Sequence, residues 1–240
     1  MENTLIVALA RQDVLSRQMA AISNNLANVN TAGFKSESMV FREQVEKTGD
    51  NQTISLVHDV SYFRDVSEGP LANTGNPLDL AIRGDAYFAV KTADGERYTR
   101  HGVFQLDNKS QIVTSDGDPV LGTGGAPITI PPNAGNIIVA RDGTVSADAV
   151  QIGRIELFRF ENPAALSKVG NSLYEAKGQA PQPARDSDIA QGMVESSNVN
   201  GVAEMTRMIE TVRSYQAASQ LVDMEHRRIL EAINSLVAES

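Results

Sequence analysis

The fold is decided by residues 5–33, which read LIVALARQDVLSRQMAAISNNLANVNTAG. Apolar residues recur there every three or four positions, the spacing that places side chains on one face of an α-helix. This face comprises Leu5, Ala8, Gln12, Leu15, Met19, Ile22, Leu26 and Val29. Only Gln12 is polar. Asn and Gly tolerate a left-handed turn, so the stretch from Asn28 to Gly33 ends the pattern. We predict a helix of ~24 residues, ~36 Å long.

A second apolar seam runs toward the C-terminus. Its members are Val202, Met205, Ile209, Val212, Gln216, Ser219, Val222, His226, Ile229, Ile233 and Leu236. Acidic residues precede basic ones by three or four positions, as in Glu204 before Arg207, which supports a helix by a few tenths of a kcal/mol per pair. Asn200 or Gly201 is suited to begin it. We predict a second helix of ~35 residues, ~53 Å long.

Between the two seams the period changes to two, which is typical of β-strands. Two hairpins are predicted, one from residues 87–91 and 96–99 and one from residues 103–106 and 111–114. The expected fold class is α+β, with long N- and C-terminal helices forming a coiled-coil region and a central all-β domain. The expected division is a helical region (1–35 and 196–240), a connecting region (36–77 and 178–195) and a β-rich domain (78–177).

The composition argues against several classes of function. The chain has no cysteine, no tryptophan and a formal net charge of −9, which disfavours thiol chemistry, an aromatic-lined ligand pocket and nucleic-acid binding. His58, His101 and His226 are too scattered for a metal site. We therefore expect no catalytic residue, cofactor, metal, small-molecule substrate or nucleic-acid partner. We also expect no membrane span and no cleavable signal peptide.

The length of the helices favours packing between chains. Helices of ~36 and ~53 Å outreach a β domain of ~100 residues, whose radius of gyration would be ~13 Å. Part of each apolar seam should then lie beyond its own domain. Burial between neighbouring chains is the expected remedy, because exposed apolar surface costs about 25 cal/mol per Å².

Three motifs resemble the bacterial flagellar rod and hook proteins. The N-terminal one is SNNLANVNTAGFK (residues 23–35), the middle one is NPLDLAIRG (76–84) followed by YFAV (87–90), and the C-terminal one is ESSNVNGVAEM (195–205). These motifs span nearly the whole chain in order. Within the family, the short chain and single modest β domain resemble the proximal-rod proteins most and the distal-rod proteins next.

The resemblance implies an axial structural protein of the flagellar basal body. Such a protein would be exported through the flagellum's own type III apparatus and assemble across the periplasm with copies of itself and other rod proteins, transmitting torque from motor to hook. The resemblance assigns assembly roles to Asn24, Asn25, Leu26, Asn28, Asn30, Gly33, Phe34, Ser197, Asn198, Asn200, Glu204 and Met205. The apolar seams add Leu5, Leu15, Met19, Ile22, Val202, Ile209, Val212, Val222, Ile229, Ile233 and Leu236.

Two interpretations from other classes remain. A free-standing coiled-coil scaffold or adhesin should carry a secretion signal and an exposed binding surface on the β domain. A hydrolase should bring acid and base groups together in a pocket with shifted pKa values.

Overall fold

The computed structural model describes residues 2–48, 52–132 and 134–238. The chain divides into two compact units. Unit 1 comprises Met1–Ala27, Glu37–Asp65 and Val199–Ser240, and unit 2 comprises Asn28–Ser36 and Val66–Asn198. The predicted α+β class is confirmed, with a mostly β central region and a helix toward each end.

Unit 1 consists of two helices and a long hairpin. Helix α1 spans Glu2–Ala27 and α2 spans Gly201–Ala238, so both predicted helices are confirmed. The hairpin pairs β1 (Glu37–Thr48) with β2 (Gln52–Arg64) and carries a register shift between Arg42 and Glu43. Among the described residues no helix is long and apolar enough to cross a bilayer.

The two helices contact each other along a seam with seven-residue spacing. In α1 the buried apolar residues are Ala8, Leu15 and Ile22, as the N-terminal pattern predicts. Among the described side chains of α2, the buried ones are Glu204, Thr211 and Ala218, which lie on a different face from Val202, Met205 and Ile209. The face of α2 that is buried is therefore more polar than the face that carries Val202, Met205 and Ile209.

Unit 2 is built from short strands. The strands are β3 Leu71–Asn73, β4 Leu80–Arg83, β5 Tyr87–Thr92, β6 Gly95–Thr99, β7 Phe104–Leu106, β8 Ile112–Thr114, β9 Ile137–Val139, β10 Thr144–Ala147, β11 Val150–Arg154, β12 Leu157–Arg159, β13 Ser167–Lys168, β14 Leu173–Glu175, β15 Gln182–Pro183, β16 Asp188–Gln191 and β17 Met193–Glu195. Among the described residues, one sheet has six strands in the order β13-β14-β6-β5-β12-β15 and a second has the order β11-β10-β9. The remaining strands form the pairs β16-β4, β17-β3 and β7-β8. A 3-10 helix spans Pro163–Ala165. Both predicted hairpins are present, as β5-β6 and β7-β8.

The core of unit 2 lies on both sides of β5. Phe88 and Val90 belong to an aliphatic cluster, in which the Phe88 ring meets Phe104 edge to face at 5.1 Å. Tyr87 and Ala89 belong to an aromatic cluster on the opposite face. Successive strand residues point to opposite faces, so the four consecutive buried residues 87–90 of β5 join two packed layers.

The stretches expected to connect the domains contain strands. Residues 36–77 contain β1, β2 and β3, and residues 178–195 contain β15, β16 and β17. These strands were not predicted from the sequence.

Candidate assembly site

In unit 1, Asn25 joins the end of α1 to the hairpin and to α2. Its Oδ1 accepts from the backbone N–H of Glu37 at 2.9 Å, and its Nδ2 donates to the Glu37 carbonyl at 2.9 Å. The same Nδ2 donates to Glu204 Oε2 at 3.4 Å. Because an amide carries both a donor and an acceptor, it can pair with the backbone of Glu37 as a neighbouring strand would.

The start of α2 is capped by Asn200. Its Oδ1 accepts from the Ala203 N–H at 3.1 Å and its carbonyl accepts from the Glu204 N–H at 3.0 Å. A side-chain oxygen at this position satisfies a backbone donor that the first helical turn leaves unpaired. Glu204 in that turn also accepts from Arg207 Nη1 at 2.7 Å. The sequence left the cap open between Asn200 and Gly201, and the geometry assigns it to Asn200.

In unit 2, the segment 33–36 lies alongside 195–198. The N–H of Gly33 donates to the Glu195 carbonyl at 2.7 Å, and the N–H of Asn198 donates to the Phe34 carbonyl at 3.3 Å. The Ser36 N–H donates to Asn198 Oδ1 at 2.7 Å. The N-terminal and C-terminal motifs are therefore hydrogen-bonded to each other within one chain.

Three buried charged side chains hold these segments in place. Glu195 Oε1 accepts from Lys35 Nζ at 2.6 Å and from the Gly69 N–H at 2.9 Å, while Oε2 accepts from Arg100 Nε at 2.7 Å. Arg100 Nη1 donates to the carbonyls of Gly84 and Ala86, each at 3.0 Å. All three charged side chains are at most 2% exposed. We call Lys35, Arg100 and Glu195 the ion cluster.

The charges of the ion cluster shift its pKa values. Burial raises the pKa of Glu195, but attraction by Arg100 and Lys35 and the hydrogen bonds from Lys35 and Gly69 outweigh it, so that the pKa lies below its usual 4.5. Burial and repulsion by Arg100 lower the pKa of Lys35 below 10.5, against the pull of Glu195. The ionised form of Glu195 is thus the one the fold stabilises.

Gly33 and Phe34 pack closely in unit 2. Gly33 has φ +65°, and a Cβ on it would lie 2.5 Å from both the carbon and the oxygen of the Arg100 carbonyl. Phe34 is buried, and the Lys168 ammonium lies 4.5 Å from its ring centroid. Asn28 forms the preceding turn, in which Thr31 donates to its carbonyl and to its Oδ1, each at 3.1 Å. This local geometry matches the turn role that the sequence favours for Asn28 and Gly33.

The structure distributes the predicted assembly residues over three classes of exposure. Buried are Leu15, Ile22, Asn25, Gly33, Phe34, Ser197 and Glu204. Half-buried are Met19, Leu26, Asn28, Asn198, Val212 and Val222. Exposed are Asn24, Asn30, Asn200, Val202, Met205, Ile209 and Ile229. The side chains of Leu5, Ile233 and Leu236 lie outside the described residues.

The ion cluster was not predicted from the sequence, although two of its residues lie at the edges of motifs. Lys35 is the last residue of the N-terminal motif, and Glu195 is the first of the C-terminal motif. A lysine and a glutamate at the inner edges of two motifs could suggest a pair. Nothing in the sequence shows that these charges are buried or that Arg100 joins them.

The described residues offer little for metal chemistry. No group of three or more His, Asp or Glu side chains within residues 2–48, 52–132 and 134–238 is placed to hold a metal ion.

Comparison with known proteins decides the family. Residues 2–35 match the family described as flagella basal body rod protein, residues 81–147 match the flagellar hook protein FlgE/F/G D1 domain, and residues 190–236 match the flagellar basal body rod FlgEFG protein C-terminal family. The flagellar basal-body rod protein FlgF of Caulobacter vibrioides is 42% identical over 228 residues, covering 93% of each chain. This chain belongs to the flagellar basal-body rod protein family.

Other relatives agree with this assignment. FlgF of Mesorhizobium japonicum is 37% identical over the full length of both chains. FlgG of Buchnera aphidicola is 35% identical over 88% of this chain and 91% of the relative. The resemblance to rod proteins, with FlgF first and FlgG next, is thereby confirmed. The chain is a structural component of the flagellar basal-body rod, and its family is not an enzyme family.

Proposed function

We propose that the chain takes the proximal position in the rod, where it assembles with copies of itself and with other rod proteins and transmits torque from motor to hook. Within the family, FlgF is taken as the proximal-rod protein and FlgG as the distal-rod protein. The proximal position is favoured because the FlgF relatives reach 42% and 37% identity over at least 93% of both chains. The FlgG relatives reach 35% over 88% of this chain. A distal-rod role is the alternative within the family, and a coiled-coil scaffold or adhesin is the alternative outside it.

The exposed apolar stripe of α2 carries the assembly proposal. Val202 is 77% exposed, and Met205 and Ile209 are each 54% exposed. Their spacing of three and four places them on one helix face. Other residues of α2 form the contact with α1, so the residues of this stripe are available to contact another chain. Burial of apolar surface between chains contributes about 25 cal/mol per Å².

We assign the assembly role to the two terminal regions, 1–35 and 196–240. Seven-residue spacing of Ala8, Leu15 and Ile22 on α1 supports coiled-coil packing. Neighbouring chains would extend this packing through the α2 stripe into a tube. A head-to-tail interface whose rotation does not close produces such an open helical assembly. The connecting regions (36–77 and 178–195) and the β domain (78–177) complete the proposed division of the chain.

We also propose where the chain acts and that its role is not catalytic. The chain acts in the periplasmic part of the basal body and reaches it through the flagellar type III export apparatus without a cleavable signal peptide. It has no catalytic activity and takes no cofactor, nucleic acid or small-molecule substrate. Its partners are protein chains that cover the helix stripes.

Charge placed in the stripe tests the proposal. Ile209→Glu adds a carboxylate at an exposed position, so the free chain should keep its circular dichroism and urea midpoint while losing rod assembly and motility in a strain without the native gene. Val150→Glu is the matched control, since Val150 is also β-branched and is 67% exposed on β11. It should retain assembly. Normal rods from Ile209→Glu would contradict the proposal.

A parallel variant separates the two helix faces. Leu15 is buried in the α1-α2 seam, so Leu15→Glu should loosen the helix pair in the free chain as well as prevent assembly. The tyrosine signals of unit 2 should stay unchanged in this variant, because Tyr87, Tyr98 and Tyr174 are buried there. Loss of those signals would argue against separate roles for the helices and the β domain.

A further inference from the structure

We propose that Lys35, Arg100 and Glu195 are positioning residues that set the register between segments 33–36 and 195–198, and that make this register depend on a folded β unit. The inference concerns the free chain and does not rest on the proposed function. None of these three charged residues is among the predicted assembly residues.

The three charged residues of the ion cluster lie far apart along the chain. Lys35 is 160 positions from Glu195, and Arg100 is 95 positions from it. Three remote segments therefore meet at one carboxylate, whose two oxygens are both occupied. These contacts form only when all three segments are in place.

Backbone pairing alone does not select this register. The bonds from Gly33 to Glu195 and from Asn198 to Phe34 use backbone groups that every residue offers, so a shift by one position could form similar bonds. The bond from the Ser36 N–H to Asn198 Oδ1 is one side-chain contact specific to this register, and the ion cluster adds a buried one. A one-residue shift would bring Val194 or Ser196 to the place of Glu195 and leave two buried cations without their anion, which is strongly unfavourable.

Arg100 links this register to the β unit. Its Nη1 is held by the carbonyls of Gly84 and Ala86, which lie between β4 and β5. Its own backbone also forms the surface against which Gly33 packs, where a Cβ would come within 2.5 Å. The guanidinium therefore contacts Glu195 and the turn between β4 and β5 at the same time. The register of the two end segments is coupled to that turn.

Replacing the ion cluster with apolar side chains separates its effect on the register from its effect on stability. Well-packed apolar residues can replace a buried ion cluster with little loss of stability, or even a gain. The triple variant Lys35→Met, Arg100→Met, Glu195→Leu should therefore keep a cooperative urea transition. We expect the amides of Gly33, Ser36 and Asn198 to exchange with solvent faster than in the parent chain, because no charge then selects one register and shifted pairings become populated.

Hydrogen exchange read by NMR or mass spectrometry decides the outcome. Parent-like protection of those three amides in the triple variant would overturn the proposal, since the register would then not need the charges. Failure of the triple variant to fold would also overturn it, because the ions would then serve folding as a whole.

A single-residue comparison provides the control. Glu195→Gln keeps the shape of the side chain but leaves Lys35 and Arg100 without an anion, and it should accelerate exchange mainly at 33–36 and 195–198. Val145→Ala removes two methyl groups from the buried core of the same unit and should accelerate exchange across the sheets instead. Identical exchange profiles for the two variants would assign the ion cluster a merely structural role.

Discussion

Gly33→Ala is the substitution whose effect the geometry defines most closely. Gly33 has φ +65°, a conformation that costs a residue with a Cβ about 1–2 kcal/mol. The new Cβ would also lie 2.5 Å from the carbon and oxygen of the Arg100 carbonyl. Backbone cannot rotate away as a side-chain tip can, so overpacking should add about 1–3 kcal/mol. We expect the free energy of unfolding of unit 2 to fall by about 2–5 kcal/mol.

Gly75→Ala is the matched control. Gly75 has φ +70°, yet a Cβ on it would meet no atom within 4 Å. Gly75→Ala should therefore lower the free energy of unfolding only by the cost of the left-handed conformation, about 1–2 kcal/mol. Urea unfolding followed by tyrosine fluorescence measures both, because the chain has no tryptophan and Tyr87, Tyr98 and Tyr174 are buried in unit 2. Equal losses for the two variants would refute the argument from close packing at Gly33.

Two further predictions concern the polar contacts. Asn25→Asp removes the donor to Glu37 and places a carboxylate beside Glu204. The free energy of unfolding of unit 1, measured by circular dichroism, should fall by about 1–3 kcal/mol. Asn30→Asp, at an exposed position after α1, should change it little. An unshifted Asn25→Asp midpoint would contradict this role. The pKa of Glu195 is lowered on folding, so its contribution to stability is complete above the unfolded value of 4.5 and is lost as pH falls below it toward the folded value. Glu195→Gln should show a shallower loss of stability over that acid range, and parallel curves would argue against the ion cluster as its source.

Local periodicity predicted much of the fold. The three-four spacing of Leu15, Met19 and Ile22 indicated α1, because it reports which face of a helix is apolar. Two runs of strand-forming residues on either side of the turn-forming stretch 92–95 predicted β5 and β6. Hairpin β1-β2 was missed, although the turn-forming run GDN (49–51) separates two stretches rich in β-branched residues. Charged residues on both strands interrupt the alternation of apolar and polar residues.

Periodicity could not predict which face of α2 meets α1. The apolar positions Met205 and Ile209 stand out in the sequence, yet Glu204, Thr211 and Ala218 are the ones buried against α1. Glu204 accepts a hydrogen bond from Asn25 across 179 positions of chain, and periodicity carries no information about such a contact. The ion cluster was missed for the same reason, since a charged residue reads as solvated until distant segments come together.

The central claim is that the α2 stripe is covered by other chains in the rod. The chain has no cysteine, so Met205→Cys provides a unique thiol whose maleimide labelling rate can be measured in the free chain and in isolated basal bodies. The proposal predicts fast labelling of the free chain and strong protection after assembly, with Val150→Cys on β11 remaining reactive in both. Equal labelling of Met205→Cys before and after assembly would contradict it.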